Sequence, residues 1–181
     1  MILNQDESVI LIIDIQEKLL NASFNRDLVK RKSVSLAKAS KILSIPAFIT
    51  EQYPKGLGET IPEIKETLAD NAIFREKSTF SALSGTDLLS KLLETGRKQI
   101  IVFGIETHIC VHQTIIDLLK NGFSVTVVTD ACGSRTVFEY MGGIENIKAN
   151  GAKTKSTEMV LFELVKSSRH PDFKEIQALI K

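Results

Sequence analysis

Along the chain, short runs that are apolar at both parities alternate with longer stretches whose apolar residues recur every three or four positions. "SVILIIDIQ" (8–16) is the clearest run, β-branched and apolar throughout, the pattern of a strand buried on both faces of a parallel sheet. "RDLVKRKSVSLAKASKIL" (26–43) follows, with Leu28, Val29, Leu36, Ala39, Ile42 and Leu43 at helical spacing. "IPAFIT" (45–50) predicts a second strand, and the Gly- and Pro-rich "EQYPKGLGETIP" (51–62) predicts a loop.

The alternation continues to the end. "PEIKETLA" (62–69) predicts a short helix and "NAIFREK" (71–77) a strand with a polar end. "SGTDLLSKLLETG" (84–96) opens on capping residues and closes on Gly96, as helices do. "KQIIVFG" (98–104) predicts a buried strand and "THICVHQTIIDLLKNG" (107–122) a helix ending at Asn121-Gly122. "FSVTVVTDA" (123–131), "RTVFEYMGGIENIKANG" (135–151), "AKTKS" (152–156), "TEMVLFELVKSS" (157–168) and "HPDFKEIQALIK" (170–181) add strand, helix, strand and two helices, the third helix from the end weakened by Gly142 and Gly143. Strand–helix alternation of this kind predicts an α/β fold. It would be a three-layer α/β/α, Rossmann-like arrangement, with a mostly parallel sheet and helices on both faces. With 181 residues and no linker or repeat, one domain spanning 1–181 is expected.

Composition narrows the partners. The 23 basic and 22 acidic residues leave a net charge of +1, with no electrostatic footprint for nucleic acid or an anionic membrane. The basic cluster "KRKS" (30–33) lies in a helical pattern and reads as a solvated face. No apolar stretch approaches the length of a membrane span, and the N-terminus lacks the parts of a signal peptide. Two cysteines, Cys110 and Cys132, make no disulfide framework, so a reducing, cytoplasmic setting is expected.

In a parallel sheet, ligands bind beyond the carboxyl ends of the strands. The residues delivered there are Asp14 and Gln16; Glu51, Gln52 and Tyr53; Lys77; and Glu106, Thr107 and Cys110. Singly, Lys77 reads as a surface lysine and Cys110 as a small core residue. Together with Asp14 they supply a nucleophile, a base and a cation, the parts of covalent acyl transfer. Lys77 and the start of the helix near Thr107 are expected to lower the Cys110 pKa, with Asp14 opposing, and Cys132 is expected near the ordinary thiol value of roughly 8.5. His108 and His112 share a helical face without a carboxylate ligand, and His170 stands near the C-terminus; no zinc spacing is present, so neither metal nor cofactor is expected.

These residues resemble the isochorismatase-like cysteine hydrolases. The similarity rests on "LIIDIQ" with Asp14, "FREKSTFSAL" with Lys77, and "VFGIETHICVHQTIIDLLKNGFSVTVVTDACGSR" with Cys110. "TEQYPKGLGET" and "HPDFKEIQALI" are similar to the branch called isochorismatase domain-containing proteins. The resemblance implies a triad of Asp14, Lys77 and Cys110, and a cis peptide between Ile105 and Glu106. It also implies an oxyanion hole made by the backbone N–H groups of Glu106 and Cys110. Nicotinamidases of the superfamily bind a metal through Asp and His after the second strand, and "TEQYPKGLGET" has neither. The implied activity is cleavage of an amide-type C–N bond of a small molecule through a thioester. The alternatives are vinyl-ether hydrolysis of an isochorismate-type substrate and a non-catalytic binding module on the same scaffold. A dehalogenase-type phosphatase would need a second Asp where Gln16 stands. Gln16, Tyr53, Phe80 and Glu106 are expected to line the pocket, and a homo-oligomer, a dimer or higher, is expected.

Overall fold

The computed structural model describes residues 2–181. After a 3-10 turn at Gln5–Glu7, strand β1 (Ser8–Ile13) leads through α1 (Glu17–Asn21) and α2 (Arg26–Ile42) to β2 (Ala47–Gln52). Helices α3 (Pro54–Leu57) and α4 (Pro62–Leu68) precede β3 (Ala72–Lys77), and α5 (Leu88–Glu94) precedes β4 (Gln99–Ile105). A π-helical turn at Thr107–Val111 runs into α6 (His112–Lys120), followed by β5 (Ser124–Gly133) and α7 (Val137–Ala149). The chain ends with β6 (Lys153–Lys155), α8 (Thr157–Val165) and α9 (Phe173–Ala178).

The six strands form one sheet in the order β3-β2-β1-β4-β5-β6, and every pairing is parallel. The chain winds outward from β1 to β3, then returns to lay β4 on the other side of β1. That reversal opens a crevice beyond the carboxyl ends of β1 and β4. Helix α2 packs against β4, β5, α4, α8 and α9, while α6 and α7 pack on each other and on β5, completing the three-layer α/β/α architecture.

The apolar runs sit where both faces are covered. Every residue of β1 and of β4 is buried. Val9, Ile10, Leu11, Ile12 and Ile13 are wholly inaccessible, and their burial contributes roughly 8–15 kcal/mol before chain entropy is counted. Three features depart from the sequence reading. Helices α1 and α3 are short pieces within stretches read as connections. Strand β2 continues through Glu51 and Gln52, because β3 offers a ladder there, Glu51 opposite Glu76 and Gln52 opposite Lys77. The helix after β4 opens as a wide π turn rather than a regular one.

Candidate active site

The site is assembled at the β1/β4 crevice. Ile13 pairs with Gly104, and a Cβ on Gly104 would run into the Ile13 carbonyl oxygen, so only glycine permits this approach. Gly104 itself has φ +142, and the Ile105–Glu106 peptide that follows is cis. On the neighbouring strand Asp14 turns out of the ladder with φ +50, a conformation that short polar side chains tolerate. Its carboxylate reaches Thr50 at the end of β2 and Lys77 at the end of β3.

Asp14 and Lys77, which stand at the ends of β1 and β3, meet there. Lys77 Nζ lies 2.6 Å from Asp14 Oδ2, and both side chains are wholly excluded from solvent. The ammonium also directs hydrogen bonds to Gln52 Oε1 at 2.6 Å and to the carbonyls of Thr79 and Phe80, both at 3.2 Å. Asp14 Oδ2 faces this ammonium at close range, a contact that pulls its pKa down against the effect of burial. Oδ1 is different, accepting from Thr50 Oγ1 at 2.7 Å.

Cys110, 6% exposed, lies in the π turn with its thiol within hydrogen-bonding reach of Asp14 and Lys77. Two bonds to one carbonyl, from the N–H groups of Ile109 and Val111 to Glu106 O, hold the turn. Thr114 Oγ1 donates to Cys110 O at 2.6 Å and accepts from Ala82 N at 2.9 Å. Helix α7 braces the other side, where a Cβ on Gly143 would stand 2.9 Å from His108 N, so of the two glycines read as a weak point Gly143 is a close packing contact and Gly142 is open.

The thiol does not have the depressed pKa expected of it. Burial, then the Asp14 charge, push Cys110 up to about 12, and Lys77 offsets only part of that rise. Burial also raises Asp14 above the usual carboxylate value, against the pull of Lys77 and Thr50. Cys132 is wholly buried and is likewise pushed up to about 12 rather than staying ordinary. The sequence reading weighed Lys77 and the helix start against the Asp14 charge and left out burial, which is the largest cause of the rise.

The profile described as "Isochorismatase domain" matches residues 8–159. The chain belongs to the isochorismatase family. It is 38% identical over 174 residues to isochorismatase domain-containing protein 2 of Danio rerio, covering 96% of this chain and 86% of that one. Among solved structures, one described as MAR1 ribonuclease from Caenorhabditis elegans has a TM-score of 0.94 at 38% identity, covering 99% of this chain and 92% of that one. The YcaC protein of Escherichia coli, described as an octameric hydrolase of unknown specificity, has a TM-score of 0.88 at 25% identity, over 98% and 95% of the two chains.

The remaining sequence candidates of this isochorismatase-family chain are placed as follows. Tyr53 and Phe80 are exposed, at 61% and 53%, and stand beside Lys77: Tyr53 N donates to Lys77 O, and Phe80 O accepts from Lys77 Nζ. Gln16 is not a pocket residue. Its amide is fully buried, donating to Gln52 O and Gly58 O and accepting from Gln52 N, which clamps the 52–58 loop over β1. Glu106 turns its side chain to Arg135, with Nε–Oε1 at 2.9 Å. His108 contacts Ser134 Oγ at 3.1 Å and Glu139 at 3.5 Å, joining the π turn to the end of β5. Among the described residues no group of three or more His, Cys, Asp or Glu is arranged to hold a metal ion. Among the described residues no helix is long and apolar enough to cross a membrane.

Sequence reasoning missed Thr50, Thr114 and Arg135, and gave Gln52 no role. Thr50 and Gln52 had one usable signal: they are polar residues at the end of a strand whose neighbours carry Asp14 and Lys77. Thr114 had only its spacing, four residues after Cys110, which lets a hydroxyl reach back to that carbonyl.

Proposed function

We propose that this isochorismatase-family hydrolase cleaves an amide-type C–N bond of a small molecule, with Cys110 as nucleophile, Asp14 as acid and base, and Lys77 as their electrostatic partner. The observation that carries the reading is the buried trio, in which the thiol lies within hydrogen-bonding reach of a carboxylate that is itself paired at 2.6 Å with a buried ammonium.

A thiol held near 12 is not a standing thiolate. Proton transfer therefore accompanies attack. The Sγ–H proton passes to Asp14 Oδ2 as Sγ bonds to the substrate carbonyl carbon, and the raised Asp14 pKa narrows the gap that this proton must cross. The backbone N–H groups of Glu106 and Cys110 hold the oxyanion. Collapse breaks the C–N bond, and Asp14 returns the proton to the departing nitrogen, leaving a thioester on Cys110. A water attacks the thioester and gives its proton to Asp14. The C–S bond breaks, the acid leaves, and Asp14 reprotonates the sulfur. Throughout, Lys77 keeps one positive charge beside whichever of Asp14 or Cys110 is negative. Tyr53, Phe80 and Glu106 border the entrance. No step calls for a cofactor.

A small substrate is favoured over a polynucleotide because the chain carries a net charge of only +1 and two of the three basic residues of the run on α2 are paired, Lys30 with Glu63 at 2.6 Å and Lys32 with Asp130 at 3.8 Å. The chain functions in a reducing, cytoplasmic setting that keeps Cys110 and Cys132 as thiols, and it acts as a homo-oligomer, as the description of the E. coli relative supports.

The test is a panel of small amides, carbamoyl compounds and ureides, run beside isochorismate and an RNA oligonucleotide. Turnover of a panel member, with an acyl adduct on the Cys110 peptide by mass spectrometry and none in Cys110→Ala, is the expected result. Pyruvate release from isochorismate that survives Cys110→Ala would replace the thioester reading with vinyl-ether chemistry. RNA cleavage without amide turnover would replace the substrate class.

A further inference from the structure

The three groups of the proposed site come from separate parts of the sheet. Asp14 and Lys77 stand at the ends of β1 and β3, with β2 between them, and Cys110 follows β4 on the far side of β1. Pairing along β2 sets Lys77 against Asp14: Gln52 lies opposite Lys77, and Asp14 N donates to Thr50 O. No such pairing sets Lys77 against Cys110, because β3 and β4 are three strand spacings apart, roughly 14 Å. Their spacing is left to the segments that follow the two strands.

The segment after β3 is the loop 78–84. Its Thr79 and Phe80 carbonyls each accept from Lys77 Nζ at 3.2 Å. The loop is moored on α6 at two points one turn apart. Ala82 N donates to Thr114 Oγ1 at 2.9 Å, and Ser81 Oγ donates to Asp117 Oδ2 at 2.6 Å. Thr114 Oγ1 in turn donates to Cys110 O at 2.6 Å. A helical threonine often bonds the carbonyl four residues back, and that contact alone would be local. The bond from Ala82 spans 32 residues of sequence and makes the hydroxyl a bridge. With one O–H donor and two lone pairs, a single hydroxyl makes both bonds at once. Thr114 and Ala82 are wholly buried, so solvent offers neither of them a substitute partner.

We propose that Thr114 is a positioning residue for the amide cleavage, its hydroxyl locking the loop that holds Lys77 to the turn that carries Cys110 and thereby setting the spacing of ammonium and thiol. The proposal rests on the reading of Cys110 as nucleophile and deepens it. Thr114 touches no reacting atom and acts through Cys110 and Lys77. Lys77 is the neighbour that favours the Cys110 thiolate, against burial and the Asp14 charge. Releasing the loop weakens that help, and the thiol becomes harder to ionise.

Thr114→Val removes the hydroxyl at nearly constant volume. Thr114→Ser and Thr114→Ala differ from each other by the hydroxyl alone, and they decide the comparison if the valine variant does not fold. Iodoacetamide labelling of Cys110, followed by peptide mapping between pH 7 and pH 10, requires no substrate. Labelling slower by about threefold or more in Thr114→Val and Thr114→Ala, with Thr114→Ser close to native, is the expected result. On a panel compound that is turned over, kcat falls about tenfold or more in the same two variants while KM stays within about twofold, and serine restores kcat. Ser40→Ala removes another buried hydroxyl, one that donates to Ile45 O before the start of β2, and leaves both readouts at native values. Native or faster labelling in the valine and alanine variants, an unchanged kcat, or a serine variant as impaired as the alanine one overturns the positioning role. A native protein that turns over no panel compound overturns the amide reading instead, and the labelling comparison still decides whether Thr114 sets the thiol.

Discussion

Replacing Lys77 by Met tests the buried pair directly. The two side chains are wholly excluded from solvent at 2.6 Å, so no allowance for screening applies. Removing one partner of such a pair leaves an uncompensated buried charge and typically costs about 3–5 kcal/mol. A chain of this length loses about 2–4 °C of Tm per kcal/mol, which gives a fall of about 6–20 °C. The loss depends on pH, with a definite sign. Asp14 is already raised above its unfolded value by burial, and losing Lys77 raises it further. A carboxyl with a raised folded pKa keeps its stability contribution below the unfolded pKa and loses it as pH rises through the folded one. Lys77→Met should therefore be most damaging at pH 8 and progressively less so as acid neutralises Asp14. Asp14→Asn in the same chain removes the stranded charge and should recover most of the loss. Urea denaturation of the native protein, both single variants and the double variant, at pH 8 and pH 5, measures all of this. Equal losses at the two pH values, or a double variant as unstable as Lys77→Met, would show that the pair does not carry the charge as described.

Thr50→Val leaves Asp14 Oδ1 without its buried donor, costing about 1–3 kcal/mol, and should move the acid limb of kcat/KM to higher pH, read from a pH–rate profile on any substrate found. That limb should lie above the ordinary carboxylate range in the native protein, because the base form of a raised Asp14 is required. Alkylation of Cys110 by iodoacetamide should be slow at neutral pH and keep accelerating beyond pH 10, with Cys132 slower still because it is fully buried; a plateau near pH 8 in peptide mapping would contradict a thiol near 12. Gly104→Ala should destabilise by more than about 4 kcal/mol in denaturant titrations, since the added carbon meets strand backbone that has nowhere to move.

Much of the architecture was legible from pattern. The run from Ser8 to Ile13 and the run from Gln99 to Ile105 are apolar at both parities, and only a strand covered on both faces accommodates that. Alternation with helical segments then implied parallel pairing, and parallel pairing implied that Asp14, Lys77 and Cys110 would be delivered to one edge. The fold class followed without knowledge of any contact, as did the set of residues to inspect. Where a strand end was misread, the cause was pairing. "EQ" after "AFIT" has the composition of a loop and is held in β2 by β3.

The polar partners and the electrostatics lay beyond reach of pattern. Thr50, Gln52 and Thr114 are ordinary polar residues until the fold sets them 2.6–2.9 Å from Asp14, Lys77 and Ala82. Gln16 reads as a strand-end ligand residue and is a loop clamp, because the direction of a side chain is settled by the turn at Asp14. The thiol pKa reversed for a related reason. A sequence names the charges near a group, but burial and the pairing of Asp14 with Lys77 decide how much field reaches Cys110, and both are properties of the packed structure. By itself the sequence determined which residue types stand at the ends of which strands, since that depends on local periodicity and on the handedness of parallel connections. Only the tertiary structure decided which of them touch, how dry the contact is and which proton is held, because those depend on distances of a few tenths of an ångström and on the exclusion of water.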